Sequence, residues 1–155
     1  MKMSKYIINK VREYLTLATF GGFIYVLIEI LWRGYSHWTM FILGALCFIL
    51  LGLINEILPW KTPIEFQALI GAAIITFLEF VTGCIVNLGL GWHIWDYSDL
   101  PMNILGQICI PFSLIWIVIS FVAIVVDDIF RYKVFREEKP HYKSIILRKE
   151  FNWKW

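Results

Sequence analysis

Between Phe66 and Leu90 the chain carries one charged side chain, Glu79, in a predominantly apolar run. An ionised carboxylate in the hydrocarbon of a bilayer costs several kcal/mol, so Glu79 must face protein and be protonated, hydrogen-bonded or part of a titrating site. On a helix of 3.6 residues per turn, Ala72, Thr76, Glu79, Gly83 and Asn87 step by four, three, four and four, which gathers a polar and small-residue stripe on one face. Three uses fit such a carboxylate. It can be a packing device bonded between helices, it can line the path of a ligand, or it can act as a general base in an intramembrane enzyme, a role also open to Asp96.

Glu29 holds a comparable place in an earlier apolar run, with Gly22 and Tyr25 on its face and Arg33 one turn later. Glutamate four residues before arginine is the favourable order for a helical ion pair, so a local Glu29–Arg33 pair is one expectation. Arg33 could instead balance Asp96, Asp99 or an anionic ligand. Aromatic side chains cluster in two short segments: Trp32, Tyr35, His37 and Trp38, then Trp92, His93, Trp95 and Tyr97 with the carboxylate of Asp96 among them. They can anchor the protein at the membrane interface, or they can wall a cavity for a cationic or aromatic ligand. His37 and His93 are isolated, and neither they nor Cys47, Cys84 and Cys109 have the close spacing of a metal or disulfide framework. No cofactor, metal or catalytic residue is expected. Phosphate-binding glycine loops, nucleophile elbows and His-Glu-x-x-His are missing from the sequence, so any ATP chemistry must come from another polypeptide.

These residues have to be held by elements that suit their surroundings. Of 155 residues, 59% are hydrophobic and 17% charged, and the apolar residues come in four blocks, 15–32, 38–58, 66–90 and 104–126. At about 1.5 Å per residue each block can cross a hydrocarbon core of about 30 Å. The expected fold is all-α, a polytopic transmembrane four-helix bundle, with a basic N-terminal segment at 1–14, the membrane domain at 15–128 and a basic tail at 129–155. Pro59 and Pro63 should close a tight turn between the second and third helices. Gly106, Gln107, Pro111 and Ser113 should mark a kink in the fourth, and Asp127 and Asp128 a surface ion pair with Arg131. The tail should be solvated near anionic head groups, with Trp153 and Trp155 at its end.

Thirteen of the 14 Lys and Arg residues lie at the two ends or at Lys61, and the exception is Arg33. Positive residues resist translocation, which predicts both termini in the cytoplasm and the aromatic segments outside. Met40-Phe41-Ile42-Leu43-Gly44-Ala45-Leu46-Cys47 matches Met102-Asn103-Ile104-Leu105-Gly106-Gln107-Ile108-Cys109 at five of eight positions. With Glu29 opposite Glu79, this predicts two repeated helical hairpins.

The blocks from Glu29 through Trp32-Arg33-Gly34 to His37-Trp38, Ile75 to Phe80 around Glu79, and Trp95-Asp96-Tyr97-Ser98 followed by Asn103 and Gln107 resemble the CmpB-like family of ABC-transporter permeases of type IV. The resemblance spans about 20–128. It implies a transport-related component of a bacterial cell membrane, and its motif residues here are Glu29, Trp32, Arg33, Gly34, His37, Trp38, Glu79, Asn87, Trp95, Asp96, Tyr97, Ser98, Asn103 and Gln107. All of these except Gly34 and Ser98 are the expected ligand-binding residues, with an unknown small molecule entering from outside between the hairpins. Expected partners are membrane lipid, a second copy or other subunits, and a separate ATPase, with no nucleic acid. A lipid-binding or scaffolding protein without transport is the alternative.

Overall fold

The computed structural model describes residues 2–152 and is predominantly helical. Helix α1 is Lys2–Arg33, α2 is Trp38–Ile57, α3 is Ile64–Gly83 and α4 is Ile110–Phe130. A π-helical turn extends α3 through Cys84–Gly89, and another extends α4 through Arg131–Phe135. Four segments, Lys5–Arg33, Trp38–Ile57, Ile64–Gly89 and Ile110–Phe135, are long and apolar enough to span a membrane. The chain is thus an integral membrane protein with four spanning helices.

Helix α1 begins well before the apolar block, because nothing between Lys2 and Leu15 breaks a helix and the basic residues there are good helix formers. The chain forms two compact units that divide within α2, between Ile49 and Leu50. In the first unit, α1 meets α2 through small residues. A Cβ at Gly21 would overlap Phe48 and one at Gly44 would overlap Tyr25, so glycine at both positions lets the backbones approach closely. Phe20 against Phe48 and Phe23 against Phe41 pack edge to face on either side, with centroids 5.4 and 5.1 Å apart.

The second unit contains the rest of α2, then α3, α4 and the C-terminal segment. The turn between α2 and α3 closes as expected, with Thr62 N–H donating to the Pro59 carbonyl at 2.8 Å. The fully buried Gln67 also donates, through Nε2, to the Thr62 carbonyl at 3.0 Å. At Gly71 a Cβ would lie 2.5 Å from Leu51 Cδ2 and 2.8 Å from Ser120 Cβ, so three helices converge on a point with no room for a side chain.

Several expectations give way here. The fourth helix begins at Ile110, not at 104, and Pro111 opens it in place of kinking it. Proline suits the first turn of a helix, where its missing N–H would have had no partner. Residues 91–109 form an irregular loop, with Met102, Leu105 and Gly106 at positive φ. The segment Met40 to Cys47 is helical and its match Met102 to Cys109 is not, so the shared letters do not encode a shared structure. The two-hairpin repeat loses its basis.

Asp127, Asp128 and Arg131 are not a surface pair. Their relative exposures are 0, 6 and 2%, and Asp127 Oδ2 accepts from Arg131 Nε at 2.6 Å. Asp128 Oδ2 accepts from Asn55 Nδ2 at 2.6 Å and from the Tyr142 hydroxyl at 2.7 Å. Nor is the tail simply solvated. Residues His141–Ser144 (β1) and Lys149–Asn152 (β2) pair as an antiparallel hairpin. Strand β1 sits on Trp60, whose ring centroid is 4.8 Å from that of His141, and Ser144 Oγ donates to Glu65 on the first turn of α3. Burial and the adjacent Asp128 carboxylate both push the Tyr142 hydroxyl above its ordinary pKa, so this anchor keeps its proton. Trp153 and Trp155 lie outside the described residues.

Candidate functional site

The stripe read from helical spacing is the packed face of α3. Ala72, Glu79, Gly83 and Asn87 are buried and Thr76 is half-buried, its hydroxyl 3.4 Å from that of Ser113 on α4. Glu79 lies just past the middle of the Ile64–Gly89 spanning segment. One of its carboxylate oxygens accepts from Trp116 Nε1 of α4 at 2.8 Å, and the other accepts from the Tyr97 hydroxyl at 3.0 Å. The first donor is fixed on a helix and the second arrives from the loop, where the Tyr97 ring stacks on Phe112 at 4.7 Å. A buried carboxylate needs donors, and these two come from different elements, so Glu79 ties the loop to both α3 and α4.

The loop is organised by its own polar residues. Asn87, on the π-helical turn, donates to Gln107 Oε1 at 2.8 Å and accepts from the Ile94 backbone N–H at 2.7 Å. Trp95 Nε1 donates to the Gln107 carbonyl at 2.9 Å. Asn103 Nδ2 donates to the carbonyls of Ser98 and Leu100, and Asn103 Oδ1 accepts from Gly106 N–H. The Tyr97 backbone N–H donates to the Gly106 carbonyl at 2.7 Å, which places its side chain over Glu79. Gly83 makes this possible, since a Cβ there would lie 2.5 Å from Gln107 Oε1 and 3.0 Å from Trp95 Cζ2. His93, Met102 and Leu105 are held at φ near +50°, a region that costs a side-chain-bearing residue of order 1–3 kcal/mol, so the surrounding bonds must impose the conformation. Asp96 caps its own turn, accepting from Ser98 Oγ at 2.5 Å and Ser98 N–H at 2.9 Å. Those two donors hold its carboxyl below the usual range.

Seven of the twelve expected residues, Glu79, Asn87, Trp95, Asp96, Tyr97, Asn103 and Gln107, therefore meet in the loop and its seat. The other five lie in the first unit. Arg33 Nη2 pairs with Glu29 Oε1 at 2.6 Å, Ser36 donates to the second Glu29 oxygen at 2.5 Å, and the Arg33 guanidinium lies 4.6 Å from the Tyr35 ring centroid. The local ion pair is formed. His37 places Nδ1 2.9 Å from Thr39 Oγ1 at the start of α2. Trp32 and Trp38 are 72 and 60% exposed. Trp116 is the residue that sequence reasoning missed, because a tryptophan inside an apolar helix carries no pattern of its own.

The family profile described as "Putative ABC-transporter type IV" matches residues 14–148, which takes in α1 from Tyr14 onward, the other three spanning helices and the loop. The chain belongs to this family. Membership supports a transport-related role in the membrane, and it extends past α4 to cover β1 of the hairpin as well. Among curated proteins nothing matches the chain. Nothing matches among solved structures either.

Proposed function

We propose that this chain is the membrane subunit of an ABC-type transport system, energised by a separate ATPase, and that the 91–109 loop with Glu79 beneath it forms the ligand-handling end. The observation that supports this most is the Glu79 carboxylate, buried in a spanning helix yet bonded on one side to a loop tyrosine. A packing carboxylate is served as well by helix-borne donors. One held by Tyr97 can exchange that hydroxyl for a ligand group when the loop lifts, while Trp116 keeps the carboxylate in place. Asn87, Asn103 and Gln107 then serve as the frame that lets the loop move as a unit. Four spans make a small permease, so a second copy or partner subunits complete it.

Isolation of the tagged full-length chain from its native membrane should bring down a polypeptide with a nucleotide-binding site and measurable ATP hydrolysis. Recovery of intact, folded chain with no ATPase would contradict the reading. The orientation in this proposal puts both termini in the cytoplasm, supported by the basic residues at the ends. An alkaline phosphatase fused after Trp155 should be inactive, and one inserted at Asp99 active; the reverse pattern would invert the site.

A further inference from the structure

A groove of about 1280 Å³ lies between α3 and α4 on one side and the C-terminal hairpin on the other. Its walls are apolar side chains of two spanning helices, among them Ala68, Leu69, Val118 and Phe121, so they stand at hydrocarbon depth. Its roof is the hairpin face that carries Tyr142 and Phe151, which are directly paired across the strands and so point the same way.

The hairpin's depth is fixed by Glu65, on the first turn of α3. Its carboxylate accepts from Ser144 Oγ and from the backbone N–H groups of Ile145 and Ile146 at 3.2 Å each. The turn is thus level with the point where α3 enters the membrane. Ile145, Ile146 and Leu147 at its tip are 61, 78 and 60% exposed, an arrangement unfavourable in water and favourable against acyl chains. Next to these apolar residues come two exposed cations, Arg148 and Lys149, and Lys149 is paired with Ser144 and therefore shares the face that roofs the groove.

We propose that the groove is a site for one anionic phospholipid, with an acyl chain between α3 and α4 under the hairpin and its phosphate at the rim against Arg148 and Lys149. An apolar slot opening laterally from two spanning helices is reached from the bilayer, and a cationic rim at head-group height selects a negative charge. The site would tie the hairpin, and through Tyr142 the end of α4, to the lipid composition of that leaflet.

Native mass spectrometry of the full chain in mild detergent, with phosphatidylglycerol or phosphatidylcholine of the same acyl chains added, tests this. Each basic residue near an anionic surface contributes about fivefold in affinity, so phosphatidylglycerol should be retained roughly 25-fold better. Arg148→Gln with Lys149→Gln should abolish that preference without changing phosphatidylcholine binding, and both residues are exposed, so the helical circular dichroism should be unaltered. Leu69→Trp, which fills the groove from a half-exposed position, should reduce retention of both lipids. Equal retention of the two lipids by the unmodified chain would overturn the proposal, as would a preference that survives the double substitution. A lipid-free dimer that Leu69→Trp splits into monomers would also overturn it, giving the groove to a second copy.

Discussion

Arg131→Met should destabilise the protein by about 3–5 kcal/mol, the usual cost of leaving one partner of a buried ion pair without the other. Asp127 is fully buried, its Oδ2 is bonded to Arg131 Nε, and Gly52 is pressed against its carboxylate so closely that no side chain fits there. The carboxylate cannot swing to water when the guanidinium is removed. Loss should therefore fall on the whole hairpin-bearing end of the second unit, including the Asn55 and Tyr142 bonds to Asp128. The double substitution Asp127→Asn with Arg131→Met removes both charges and should recover most of the stability, since a neutral pair escapes the desolvation cost. Equilibrium unfolding of the full chain in mixed micelles checks both numbers. A single substitution that costs under about 1 kcal/mol would mean that water or lipid head groups reach Asp127.

The helices were readable from the sequence because their signals are local. Four long apolar blocks set their number, and the four-three-four-four spacing from Ala72 to Asn87 set the packed face of α3. The Pro59 to Pro63 turn follows from backbone chemistry alone. The 91–109 loop was not readable in that way. Ile104, Leu105, Ile108 and Ile110 look like the start of a spanning helix, yet tertiary hydrogen bonds at Asn103, Gln107 and Trp95 hold Met102, Leu105 and Gly106 in left-handed conformations that end any helix. That also explains why the Met-x-Ile-Leu-Gly-x-x-Cys match misleads: identical residues are a helix in one context and a loop in the other. The hairpin was hidden for a related reason. Two four-residue strands have little propensity of their own, and these are held by Glu65, Trp60 and Asp128, which are remote in sequence.

The candidate site was half legible. Glu79 announces itself as a lone carboxylate in an apolar run, and Tyr97 belongs to the aromatic segment that the sequence marks. Which of the polar residues would reach Glu79 depended on a fold that periodicity does not supply. Thr76 and Asn87 share its helix face, yet Tyr97 from the loop and Trp116 from α4 donate to it.

Glu79→Leu is the second large effect. It removes the carboxylate that accepts from the Tyr97 hydroxyl and the Trp116 indole N–H, at about 1–3 kcal/mol for a buried donor that loses its acceptor, and it cuts the loop's tie through Tyr97 to α3. Glu79→Gln retains the shape and an acceptor oxygen, so it should cost no more than about 1–2 kcal/mol, and the folded protein should be recovered at normal yield. The pair separates structure from function. If Glu79 serves packing alone, glutamine should be close to silent in every assay, and leucine should fail by unfolding.

ATP hydrolysis by the complex purified through the tagged chain, compared between the unmodified protein and Glu79→Gln at equal recovery of both subunits, tests the proposed role most directly. If the carboxylate is the group that a ligand engages when Tyr97 lifts, hydrolysis should fall by about tenfold or more, equivalent to roughly 1.4 kcal/mol, while assembly and thermal stability stay near those of the unmodified complex. Unchanged hydrolysis in an intact Glu79→Gln complex would contradict the account and leave Glu79 as a structural clamp for the loop.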